Sequence, residues 1–129
     1  MKATQLAHPT RRALMQRSGG LCEQCGQAPA TDAHHRKPRG MGGTMLTDKH
    51  QLSNLLALCS EHHRWIEAER NKARMLVNGW LVDQHQDPRT IPALIYNPNY
   101  CGAPTRCLLH DDGTLTRWDD DADAGEAVA

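Results

Sequence analysis

Apolar positions in this chain fall in short clusters separated by polar and glycine-rich stretches, so its elements are read from local patterns and not from one long periodicity. Thr10 is placed to cap a short helix over Arg11 to Arg17, which Ser18-Gly19-Gly20 ends. Residues 31–37 have strand length, and residues 38–43, with one Pro and three Gly, read as a loop. Leu55-Leu56-Ala57-Leu58 is a four-residue apolar run. Ser60 then predicts the start of a helix reaching Asn78 and stopped by Gly79, with Ile66, Ala73, Leu76 and Val77 recurring along one face. Short strands follow over Trp80-Leu81-Val82, Ala93-Leu94-Ile95, Cys107-Leu108-Leu109 and Leu115 to Trp118, separated by turn residues. The division expected is a leader at 1–9, a main domain at 10–79, a small antiparallel β appendage at 80–118 and an acidic disordered tail at 119–129.

Composition changes that picture in one respect. In 129 residues, 39% are hydrophobic and only 4% aromatic, with no Phe, so the apolar material for one core is thin and something must reinforce it. No apolar run approaches the roughly 18 residues of a membrane span, and the first residues lack the pattern of a signal peptide; a soluble, cytoplasmic protein without membrane contact is expected. The net charge of zero hides an asymmetry: residues 1–80 carry 12 Lys and Arg against 6 Asp and Glu, residues 81–129 carry 3 against 9. A basic half can attract a polyanion whatever the total, although uneven solvated charge is the plain alternative.

Five cysteines without a secretory signal favour metal binding over disulfides. Cys22-x2-Cys25 and, further on, Cys59-x2-His62 form two knuckles with the four ligands tetrahedral zinc requires. Such a site would offset the thin core, because its binding energy is folding energy. Cys101 and Cys107 could form a second site with His110, but without a knuckle the two cysteines read as packing thiols and His110 is unassigned. Trp65, Trp80 and Trp118 read as core.

A second group comprises adjacent His34 and His35, Asn54, and His63 directly after the last knuckle residue. Neighbours on a strand face opposite ways, so one of His34 and His35 can bind metal while the other acts. His63 and Glu67, four apart on the predicted helix, share a face. Together with Gly42-Gly43, these residues and spacings resemble an HNH endonuclease of the His-Me finger, or ββα-metal, type over about residues 12–75. Three departures stand out. His34 occupies a position where many members carry Asp, although a His-His pair also occurs, as in colicin nucleases. Glu67 occupies a position where such relatives have a second helical His, and His62 replaces a knuckle Cys.

The resemblance implies an α+β fold, a zinc-stapled ββα-metal core, and metal-dependent hydrolysis of phosphodiester bonds in DNA. It implies His35 as general base, and a catalytic divalent ion held by His34 and His63, with Glu67 as a further ligand. A carboxylate there favours Mg²⁺ or Mn²⁺, with Ni²⁺ or Zn²⁺ as alternatives. Asn54 would either ligate the ion or tether the loop that orients His35; the tether is favoured. Arg36, Lys37, Arg39 and Arg64 flank the histidines as candidate phosphate contacts, each a solvated cation if taken singly. Small proteins of this kind are often phage-encoded, which makes terminase subunits candidate partners besides DNA. The alternative is a non-catalytic zinc-finger module that binds DNA or protein.

Overall fold

The computed structural model describes residues 7–37, 50–69, 71–100 and 103–118. At its centre two antiparallel strands, β1 (Asp32–His35) and β2 (Leu55–Leu58), pair in register from Asp32 opposite Leu58 to His35 opposite Leu55. All four residues of β2 are buried, which is why its sequence shows no alternation. One face of the pair, carrying Ala33, Leu55 and Ala57, packs with Leu52 and with Leu14 of α1 (His8–Ser18). The other face, carrying Leu56 and Leu58, packs with Ile66 of α2 (Ser60–Ala68), Met75 of α3 (Lys72–Val77) and Trp80.

A second sheet of three antiparallel strands, β3 (Ala93–Ile95), β4 (Thr105–Leu109) and β5 (Leu115–Arg117), follows in that order. The expected mixed α+β character and C-terminal sheet are therefore present. That sheet is not a separate appendage, because Ala93, Ile95, Cys107 and Leu109 enter the same apolar cluster as Leu56, Leu58 and Ile66. Pooling the scarce apolar residues of both halves into one cluster is how so small a supply makes a core.

Several expectations need correction. The helix predicted from Ser60 to Asn78 is two helices: Glu69 is extended (ψ 129°), and Asn71 caps α3 by accepting a hydrogen bond from the Arg74 N–H at 3.1 Å. Asn competes for backbone donors in this way and so interrupts helices that hydrophobic spacing alone would continue. Cys59 occupies the N-cap position of α2 and Ser60 is already helical. The first helix begins at His8, with Pro9 in its first turn, ahead of the expected Thr10. Residues 80–82 form no strand; they run beside β1, where the Val82 N–H donates to the Arg36 carbonyl at 2.9 Å. The strand read over 31–37 spans only Asp32–His35. The loop expected at 38–43 and the tail expected at 119–129 lie outside the described residues. No helix among the described residues is long and apolar enough to cross a membrane.

Two buried arginines tie these layers together. Arg17 pairs with buried Glu23 at 2.7 Å and donates to the Leu52 and Leu55 carbonyls. Arg36, fully buried, donates from Nε to the Gly79 carbonyl (2.7 Å), from Nη1 to those of Ser53 (2.7 Å) and Pro88 (3.2 Å), and from Nη2 to that of Ile91 (2.6 Å). Gly79 turns the chain at φ 71°, so closely against the next segment that a Cβ would collide with the Pro92 carbonyl oxygen.

Candidate metal centre and histidine clusters

The first knuckle is a tight hairpin in which the Cys22 N–H donates to the Ala28 carbonyl and the Gly26 N–H to the Cys22 carbonyl, both at 2.8 Å. Gly26 supplies the positive φ (67°) that turn demands, and a Cβ there would meet the Tyr96 side chain. Glu23, between the two cysteines, fastens the hairpin to β2: its N–H donates to the Ala57 carbonyl (2.7 Å), and its Oε1 accepts from the Ala57 N–H (2.8 Å). The second knuckle sits at the start of α2, where Cys59 Sγ and His62 Nδ1 are 3.1 Å apart.

These elements bring the ligand atoms of Cys22, Cys25, Cys59 and His62 within 4.8 Å of one another. Ligands of tetrahedral zinc, with Zn–S near 2.3 Å, stand about 3.8 Å apart, so three thiols and one imidazole in this arrangement suit a metal such as zinc. Burial pushes the Cys22 thiol up to about 11, against nearby backbone N–H groups that favour the thiolate; a cation at the centre of the four would relieve that penalty. Among the described residues this is the one group of three or more such donors that closes on a single point. Cys107 is a buried thiol whose Sγ lies against the Thr105 carbonyl, and burial raises it to about 11, as suits packing. Cys101 lies outside the described residues.

His34 and His63 also meet, edge to face with ring centroids 5.6 Å apart. His34 Nε2 lies 2.8 Å from the Trp80 carbonyl oxygen, which only accepts, so Nε2 carries the proton and the lone pair of the neutral ring falls on Nδ1. Burial drives its pKa down to about 4, with the Trp80 bond acting the other way, and keeps the ring neutral near pH 7. His63 Nδ1 lies 2.9 Å from Asp32 Oδ2, which leaves Nε2 on the side of Glu67, whose carboxylate is 3.9 Å away and 64% exposed. The expected set of His34, His63 and Glu67 thus supplies two contacting imidazoles and an outlying carboxylate, without the closure seen in the Cys/His group.

Alternation along β1 sends Asp32 and His34 to the α2 side and Ala33 and His35 toward the α1 side. His35 Nε2 is 3.2 Å from His50 Nδ1, the two rings again edge to face. Asn54, buried, accepts the Lys37 N–H on Oδ1 at 2.7 Å and the Arg36 N–H on its carbonyl at 2.8 Å. This is the geometry of a tether on the chain just beyond His35.

The candidate phosphate contacts divide. Arg64 is exposed on α2 and Lys37 is half-buried. Arg36 is a correction: its guanidinium is spent on four carbonyls inside the fold, where a phosphate has no access, and burial pulls its pKa down to about 9, still a cation at neutral pH. Arg39 lies outside the described residues.

Two residues escaped sequence reasoning. Asp32 was legible in principle, since it stands two positions before His34 and so shares its strand face. His50 carried no signal, because its approach to His35 depends on how residues 50–54 lead back into β2. In comparisons with known proteins, no family model, no curated protein and no solved structure matches the chain.

Proposed function

We propose that this protein is a metal-dependent endonuclease acting on DNA, with zinc in the Cys22, Cys25, Cys59 and His62 centre as a structural staple. The observation that carries the reading is the pairing of His34 with His63. Two buried imidazoles each commit one nitrogen to an oxygen acceptor and retain a lone pair on the other, as metal-ligating histidines do. Around them are an antiparallel strand pair followed by a helix, a tethering Asn54 and a third histidine, His35, at the end of β1.

In this reading His34 and His63, with Glu67 one helical turn on, hold a divalent ion, Mg²⁺ or Mn²⁺. When bound, such an ion would supply Lewis-acid charge to the scissile phosphate. His35 takes a proton from the attacking water, whose oxygen bonds to phosphorus as the P–O3′ bond breaks. The 3′ oxygen takes its proton from solvent, leaving 5′-phosphate and 3′-hydroxyl ends. Asn54 holds the backbone that carries His35, and Arg64 and Lys37 offer charge to the DNA backbone.

The test is nicking and linearisation of supercoiled plasmid with Mg²⁺, Mn²⁺, Ni²⁺ or EDTA by wild type and His35→Ala, with zinc content measured in both. Metal-dependent cutting by wild type, lost in a zinc-replete His35→Ala, is expected. DNA binding without cutting under any metal would move the protein to a non-catalytic zinc-bearing binding module.

A further inference from the structure

The helical spacing of Ala73, Leu76 and Val77 predicts a buried face, but α3 commits only Met75 to the core and leaves all three exposed, Leu76 at 37% and Val77 at 67%. Among the described residues only Leu21 is a further large apolar side chain exposed in this way. In a chain so short of apolar material, two adjacent ones turned away from the core mark a contact surface. Nor is this the end of a frayed helix. Arg106 Nη1 donates to the Val77 carbonyl at 2.9 Å and the Leu94 N–H donates to the Asn78 carbonyl at 2.9 Å, so β4 and β3 hold the end of α3 in place.

Leu76 and Val77 line an open groove of about 480 Å³ together with Ile91, Gln86 and Asp83. One surface therefore offers both a protruding apolar side chain, Val77, and an apolar groove able to take one. Its charges are divided in the same way. Lys72, one helical turn before Leu76, has no carboxylate partner among the described residues, because Arg74 is the cation that pairs with Glu69 (3.9 Å) and lies over the Trp65 ring (5.1 Å). The Asp83 carboxylate accepts the His85 N–H at 2.9 Å and meets no cation among the described residues. A patch with a projection, a groove, an unpaired cation and an unpaired anion complements itself, and a two-fold contact uses each of these twice.

We propose that this face pairs with a second copy of the chain in solution, Val77 of each copy entering the groove of the other and Lys72 of each meeting Asp83 of the other. The charges select this occupant. A polyanion is repelled by Asp83, and a partner of one sign satisfies only half of the pair, whereas an identical surface turned through a two-fold axis satisfies both. The pairing is independent of the nuclease reading and uses no histidine.

Sedimentation velocity of the full-length, zinc-loaded wild type, from micromolar to submillimolar concentration, is expected to show the mass of one chain giving way to that of two. Val77→Asn should weaken association at least ~10-fold. Lys72→Asp and Asp83→Lys should each weaken it roughly 10-fold, because a single reversal sets like charges against each other at both symmetric contacts. The double variant Lys72→Asp/Asp83→Lys should return to within about 3-fold of wild type. Circular dichroism and zinc content check the fold of each variant, and the charge variants, at exposed positions, carry the test if Val77→Asn disturbs the end of α3. A wild type that keeps the mass of one chain throughout overturns the proposal and leaves the face to a different protein. A dimer indifferent to a folded Val77→Asn, or a double variant no better than the single ones, overturns it as well and puts the dimer contact elsewhere.

Discussion

Asp32 Oδ2 lies 2.9 Å from His63 Nδ1, so the first residue of β1 grips a residue one turn into α2. The carboxylate sets which nitrogen of His63 bears the proton and aims the other along the helix toward Glu67. Burial alone would raise the Asp32 pKa, but the hydrogen bonds from His63 and the Thr31 hydroxyl bring it below the usual carboxylate value.

Asp32→Ala should therefore weaken the histidine cluster without touching the Cys22, Cys25, Cys59 and His62 centre. The expected result is a loss of roughly 10- to 100-fold in Mn²⁺ affinity, with plasmid cleavage falling in parallel. Mn²⁺ titration of cleavage, with zinc measured on the same preparations, checks it; an unchanged Mn²⁺ dependence would remove Asp32 from the site.

His34 gives the fold a defined response to acid. Burial holds its folded pKa near 4, against about 6.5 in an unfolded chain. Between those values the unfolded chain takes up a proton that the folded one refuses, so stability is intact above about pH 7, declines as pH falls from 6.5 toward 4, and flattens below. A gap of about 2.5 units corresponds to about 3 kcal/mol. Urea unfolding of wild type and His34→Gln across this range, with zinc retained, should show a shallower decline in the variant.

Removal of the metal should unfold more than the knuckles. Glu23 links the first hairpin to Ala57 of β2 and to Arg17 of α1, so loosening Cys22 and Cys25 loosens the central strands. The purified protein should carry about one zinc per chain, and Cys25→Ala should lose it. Chelation is expected to collapse the thermal transition, in keeping with zinc binding energies of about 10 kcal/mol or more in small domains. Elemental analysis and circular dichroism on one sample suffice.

Arg36→Met should be a stability defect. Truncation strands the carbonyls of Gly79, Ser53, Pro88 and Ile91 inside the protein, at a cost of about 3–5 kcal/mol by analogy with broken buried charge contacts. Denaturant melts should record that loss, while DNA affinity per folded molecule stays at the wild-type value. A selective loss of affinity at wild-type stability would return Arg36 to the binding surface.

How much of this was legible in the sequence depended on the range of the interaction. The quartet of Cys22, Cys25, Cys59 and His62 was readable because ligand spacing within each knuckle is local and the chemistry allows few alternatives. The presence of a strand at His34 and of the three C-terminal strands followed from turn residues, although the strand at His34 is shorter than expected. The break between α2 and α3 did not, because hydrophobic spacing on both sides continued while the Asn71 side chain took over a backbone donor. Arg36 misled for a related reason: a run of basic residues looks like a surface, and only the convergence of four distant carbonyls reveals a place for one of them inside. His50 lay beyond reach, since nothing local marks a residue whose partner stands 15 positions away.

The apolar cluster that Leu56, Leu58 and Ile66 share with the C-terminal sheet has a consequence for how this molecule can be handled and inherited. A segment cut off after Gly79 would shed Trp80, Ala93, Ile95, Cys107 and Leu109, leaving Leu56, Leu58 and Ile66 open to water and Arg36 short of two of its four acceptors. The strand pair and helix are therefore not a portable cassette. Grafting, fusion or recombination at that point would yield an aggregating fragment, and any exchange that preserves the histidines has to carry the C-terminal sheet with them.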